Sequence, residues 1–180
     1  GLALNIASDF TQGCISAGKD PEYIGKAISE IVQNNQIAAF YIAYGFTHGC
    51  ISAGKDLKDE DIGNAISEII QDNKDSALNI IYGFTQGCIF LARNKPIDIS
   101  DTISKIIRGN QGSATNIACA FAQGCISAGE DPEYIGNAFS KIIQCNQGSA
   151  FNIIDGFAQG CISAGEDPEY ISNAISKIID

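Results

Sequence analysis

The sequence predicts an all-α protein of tandem helix-turn-helix repeats, about ten helices stacked as an αα solenoid or superhelical bundle. Three observations carry that expectation. A marker pair recurs at a nearly constant interval, an Asp-Pro-Glu start signal recurs with it, and apolar residues fall on one stripe of a 3.6-residue helix. The pair Gly-Cys stands at Gly13-Cys14, Gly49-Cys50, Gly87-Cys88, Gly124-Cys125 and Gly160-Cys161, spaced 36, 38, 37 and 36 residues apart. Self-similarity at such a period marks a repeat array, because each supersecondary unit needs a neighbour to cover its apolar face. The chain therefore reads as a single repeat array with approximate units 1–36, 37–74, 75–111, 112–147 and 148–180. The longer steps come from an altered turn between Asp56 and Asp61 and from the segment Phe90-Leu91-Ala92-Arg93. Cuts that fall in phase with the units are expected of a segment excised or processed from a longer array.

Each unit reads as two helices. The second opens at Asp20, a good N-cap, followed by Pro21 at the first helical position and Glu22, whose charge suits the helix dipole. Asp131-Pro132-Glu133 and Asp167-Pro168-Glu169 repeat the signal. Ile24, Ala27, Ile28, Ile31 and Val32 form its apolar stripe, and Lys, Ser, Glu and Asn are expected on the solvated face. The first helix carries Ile42, Phe46, Gly49, Cys50 and Ala53 on a comparable stripe and should stop at Gly54, which tolerates the left-handed conformation. Arg93 replaces that glycine in the third copy, so its turn must differ.

Two stripes cannot both be buried within one hairpin, so neighbouring units are expected to share a continuous core. Gly45 and Gly49, Gly83 and Gly87, and Gly156 and Gly160 are spaced four apart on the first helix. Small residues at that spacing let helix backbones approach closely. That packing would offset the roughly 0.5–1 kcal/mol that an interior glycine costs relative to alanine.

Seven cysteines need an account. The five repeated ones read as small buried hydrophobes, which makes the Gly-Cys pairs packing positions. A ladder of disulfides between copies is disfavoured, since packed helices lie about 8–10 Å apart while bridged Cα atoms rarely exceed about 7 Å. Cys119 and Cys145 break the pattern. They stand near the start of the first helix and the end of the second in one hairpin, so antiparallel packing is expected to bring them together in a local disulfide. An oxidising compartment would follow.

Other motifs do not assemble into chemistry. Cys14-Ile15-Ser16-Ala17-Gly18 lacks the first glycine and the preceding strand of a nucleophile elbow. His48, the sole histidine, takes the place of Gln12, Gln86, Gln123 and Gln159 and reads as a polar surface residue. Capping explains Asp20, Glu22, Asp131, Glu133, Asp167 and Glu169 without acid-base catalysis. Asp155 is expected to be exposed, and Phe10, Phe46, Phe84, Phe121 and Phe157 to be core aromatics. Paired Cys or Cys/His metal-ligand spacings are absent, so neither metal nor cofactor is expected, and no enzymatic activity.

The segment Phe-Thr-Gln-Gly-Cys-Ile-Ser-Ala-Gly at residues 10–18, followed by the Ile24, Ala27 and Ile28 stripe, resembles the helical repetitive domains of spider silk proteins, the spidroins. The likeness covers about 20 residues per copy and recurs in most copies. This chain is Ile-rich and acidic where that family is rich in Ala and Ser, and its unit is shorter. The resemblance implies a secreted fibre or coating component, an extracellular setting to which a cytoplasmic one is the alternative.

Charge and hydropathy narrow the function classes further. A net charge of −10, with eleven basic residues scattered among acids, repels phosphate backbones and argues against a nucleic-acid partner. No apolar run approaches the roughly 18–20 residues of a membrane span. Two classes remain. The first is a structural, self-assembling protein whose units stack end to end or side by side. The second is a helical-repeat scaffold that binds a protein or peptide, which would diversify one face while keeping its core.

Overall fold

The computed structural model describes residues 1–56, 60–91 and 99–179. Among them the chain is all-α, with ten helices and no strand. They are α1 (Leu2–Ser16), α2 (Pro21–Asn34), α3 (Ala39–Ser52), α4 (Glu60–Asp72), α5 (Ala77–Leu91), α6 (Ser100–Gly109), α7 (Ala114–Ser127), α8 (Pro132–Cys145), α9 (Ala150–Ala164) and α10 (Pro168–Ile179). The odd-numbered helices pack on one another in chain order to make one layer, and the even-numbered helices make a second beside it. No helix of the described residues is long and apolar enough to cross a membrane.

Local chemistry sets the helix ends. The carboxylates of Asp20, Asp131 and Asp167 accept the N–H groups of Tyr23, Tyr134 and Tyr170 at 2.7, 2.7 and 2.8 Å. Each such cap contributes about 1 kcal/mol by satisfying a donor that the first helical turn leaves free. At the other end of the odd helices, Gly18, Gly54, Gly129 and Gly165 adopt φ of 80, 84, 85 and 84°. That left-handed turn lets the next residue cap the helix: Lys19, Lys55, Glu130 and Glu166 donate their N–H groups to the carbonyls of Cys14, Cys50, Cys125 and Cys161. Arg93 and Ala92 lie outside the described residues, as do residues 57–59 of the altered turn.

The core sits between the layers and continues from one hairpin to the next. Phe46, Phe84, Phe121 and Phe157 are wholly buried, together with Ile28, Ile66, Ile103 and Phe139 of the even helices and Ile80, Ile117 and Ile153 of the odd ones. Two expected core residues depart from this. Phe10 is 39% exposed and Ile31 is 37% exposed, although Ile69, Ile106 and Ile142, the counterparts of Ile31, are fully buried. The cause is position: α1 and α2 pack on α3 and α4 by one side, and none of the described residues lies against the other. A second departure concerns the face expected to be solvated. Ser29, Ser104, Asn73, Asn110 and Asn146 are buried, because they bind across from one hairpin to the next.

Candidate functional site

The repeated glycines mark the seam of the odd layer. A Cβ placed on Gly45, Gly83 or Gly156 would fall on the backbone carbonyl oxygen of Leu4, Phe40 or Thr115 in the preceding odd helix. One turn further along, a Cβ on Gly49, Gly87, Gly124 or Gly160 would lie 2.6, 3.0, 2.6 or 2.7 Å from the nearest side-chain atom of Thr11, Thr47, Thr85 or Ala122. Backbone therefore rests on backbone at the first position and on a small side chain at the second. Gly13 differs, for nothing lies within 4 Å of its would-be Cβ among the described residues. Ala120 occupies the first position in α7, and α5 and α7 are accordingly less closely packed than the other odd neighbours.

The paired cysteines complete the seam. Cys50, Cys88, Cys125 and Cys161 are wholly buried, and Cys14 is half-buried. Burial pushes the thiols of Cys50 and Cys161 up to about 12, and those of Cys88 and Cys125 well above the ordinary thiol value. At neutral pH they stay protonated and apolar, unlike a nucleophilic or metal-binding cysteine.

The even layer is joined by a ladder that the composition did not reveal. Asn73, Asn110 and Asn146 each follow an even helix, and their Nδ2 groups donate to Ser29, Ser67 and Ser104 Oγ of the preceding even helix at 3.0, 2.8 and 2.7 Å. The second amide proton goes to the carbonyl of Ile69, Ile106 or Ile142, four residues back, at 2.8, 3.0 and 2.8 Å. Asn35 donates only to the Ile31 carbonyl, at 3.0 Å, within its own helix. The signal present in the sequence was a Ser and an Asn recurring six residues apart in the first four units.

The two irregular cysteines are not joined. Cys119 and Cys145 are both free thiols, the first buried and the second exposed. Cys119 is the sixth residue of α7 whereas Cys145 ends α8, level with the start of α7. An antiparallel hairpin thus offsets them by about 7 Å along the axis at 1.5 Å per residue. Cys119 Sγ lies 3.7 Å from Gln123 Nε2 of its own helix and is close enough to feel the charge of Asp155 on α9.

Other singled-out residues lie on the outer surface of the odd layer. His48 Nδ1 is 2.9 Å from Ser8 Oγ on α1, and Gln86, its counterpart, donates to the Gly124 carbonyl on α7 at 2.8 Å. Asp155 is exposed and accepts a hydrogen bond from Gln159 at 2.9 Å. Between them α3 and α5 display a cluster that the sequence reading missed: the Phe40 ring centre lies 5.3 Å from Tyr82 and 6.2 Å from Tyr44, which is 6.3 Å from Phe90. Tyr41 and Phe90 are each 47% exposed there. An open cleft of about 630 Å³ at the loop end of the even layer is lined by amides and charges, including Gln71, Lys74, Asp75, Asn110 and Asn116.

Among the described residues no three His, Cys, Asp or Glu side chains gather where they could hold a metal ion. Comparison with the models of known protein families and with curated proteins finds no match to the chain. Among the described residues, large apolar side chains are also exposed on the outer sides of the first and last helix pairs. On one, Leu2, Ile6 and Phe10 are 76, 57 and 39% exposed; on the other, Phe151, Ile154, Ile162 and Ile179 are 83, 44, 68 and 78% exposed.

Proposed function

We propose that this chain is a non-enzymatic structural protein whose helical units associate with those of other copies. The observation that carries the reading is the seam that recurs between successive odd helices, where a glycine of one unit rests on the backbone or a small side chain of its neighbour, so that each unit is shaped to pack against another of its own kind. The buried, protonated cysteines fit a packing role better than a chemical one. A secreted fibre or coating is the setting implied by the silk resemblance.

A scaffold that binds a protein or peptide is the second reading. The Phe40, Tyr44, Tyr82 and Phe90 cluster favours it, because the outer face of the odd layer departs from the repeat there while the core beneath does not. Light scattering over a wide concentration range, with electron microscopy of the same samples, separates the two. Growing oligomers or filaments support the structural reading. A stable monomer that captures a partner through the aromatic cluster, and loses it on Tyr82→Ala, overturns it.

A further inference from the structure

We propose that the outer face of α1, α3, α5 and α7 docks on the same face of a second copy, two-fold about the Phe40, Tyr44, Tyr82 and Phe90 cluster. The inference rests on the structural reading above and assigns its interface and its register.

Charge is segregated between the two layers. Of 21 acidic and 11 basic residues, only Asp9 and Asp155 lie in the five odd helices, and α3, α5 and α7 hold none. The even helices face water with Glu22, Lys26, Glu30, Asp101, Arg108 and Lys141 exposed. The outward positions of α1, α3, α5 and α7 hold Asn, Gln, Ser, His, Tyr and Phe instead. A solvated face normally carries charge, whereas the centre of a protein–protein interface is depleted of it and enriched in Tyr and Phe. The net charge of −10 points to the partner. Copies of this chain repel one another through any charged face, and the odd layer is where two of them can touch without setting acid on acid.

The face has the size that a stable pair needs. Its helices are 14 or 15 residues long. Each is thus about 21 Å long, and four of them spaced 8–10 Å apart give a footprint of about 750 Å² per copy. A standard interface buries about 800 Å² per partner. A two-fold axis between α3 and α5 lays α3 on the other copy's α5 and α1 on its α7, and leaves α9 with Asp155 outside the overlap. Helices run antiparallel across such an axis, so the start of α3 meets the end of the other copy's α5. The most exposed rings of the cluster stand at those two ends: Tyr41, edge-on to Phe40 at 5.0 Å, is the third residue of α3, and Phe90 is the last but one of α5. Tyr41 of each copy therefore meets Phe90 of the other, and Asn5, Gln12, Asn116 and Gln123 supply a polar rim. The contact is isologous and closes as a dimer.

Sedimentation velocity on the whole chain tests this, comparing wild type with Tyr41→Lys, Phe90→Glu, their equimolar mixture and Asn137→Glu, with circular dichroism confirming helicity. Asn137 is exposed on α8, so its substitution controls for added charge on the even layer. Wild type should dimerise as concentration rises, and Asn137→Glu should leave that unchanged. Tyr41→Lys and Phe90→Glu each set a charge against a ring at both contacts of the dimer and should weaken association by roughly tenfold or more. The mixture should recover it, because the new ammonium of one copy then faces the new carboxylate of the other while the second contact keeps both rings. Oligomers that survive both ring substitutions overturn this surface while leaving association of copies standing. Loss in both variants without recovery in the mixture overturns the two-fold register. A wild type that stays monomeric at high concentration overturns this surface and the structural reading together.

Discussion

Asn146 ties two repeats together by giving one amide proton to Ser104 Oγ at 2.7 Å and the other to the Ile142 carbonyl at 2.8 Å. Both residues are buried, so removing either partner leaves a polar group without water to replace it. Asn146→Ala should therefore destabilise the protein by about 1–3 kcal/mol. Asn35→Ala, at an exposed position with a bond only inside its own helix, should cost less. Urea unfolding of both variants and of an Asn146/Ser104 double-mutant cycle measures this; a coupling near zero in the cycle would show that the ladder contributes nothing.

Glycine substitutions should split by position along the seam. Gly83→Ala places a methyl group on the Phe40 carbonyl oxygen, and since backbone cannot move aside as a side chain can, a loss of about 1–3 kcal/mol is expected. Gly13→Ala meets nothing within 4 Å and should stabilise α1 by about 0.5–1 kcal/mol through helix propensity. Thermal melts at concentrations where the chain is monomeric compare the two, and equal effects would remove the close-approach account of the seam.

What could be read from the sequence was what depends on neighbours along the chain. The caps at Asp20, Asp131 and Asp167 and the left-handed glycines at 18, 54, 129 and 165 are settled within one turn of helix, so their residues announce them. The ladder was not legible, because Ser29 and Asn73 look like ordinary surface residues until a partner 44 positions away is placed beside them. Phe10 and Ile31 failed for the complementary reason: each has the identity of a core residue, but the burial of its counterparts comes from a neighbouring unit far away in sequence, which residue identity alone does not reveal. The aromatic cluster spans two odd helices, and rings from residues 40 and 82 meet only through the stacking. Cys119 and Cys145 were correctly placed on one hairpin, yet the axial offset between them needed the helix lengths.

Alkaline pH should weaken the fold through the seam cysteines. An unfolded thiol ionises near 9, while burial holds Cys50 and Cys161 protonated up to about 12 and keeps Cys88 and Cys125 protonated well above the ordinary thiol range. The folded state thus keeps protons that the unfolded chain gives up. Their stabilising contribution is intact below about pH 9 and is lost as pH rises toward about 12. Tyr170, also pushed up by burial, acts in the same direction. Urea midpoints measured from pH 8 to strongly alkaline buffer should fall, and Cys50→Ala should make that fall shallower. A pH-independent midpoint would contradict the protonated seam.

Thiol chemistry should rank the cysteines by burial instead of by repeat. Cys145 is exposed and should react first with a thiol-reactive disulfide at neutral pH, followed by half-buried Cys14. The four buried seam thiols, uncharged and shielded, should react only as fast as the chain opens, and Cys119 should lag behind Cys145 because it is buried and its thiol is pushed up by burial and by Asp155. Denatured without reductant, the chain should titrate all seven thiols. Five would mean that Cys119 and Cys145 had closed a bridge despite their offset along the hairpin, and mass spectrometry of the joined peptides would then locate it.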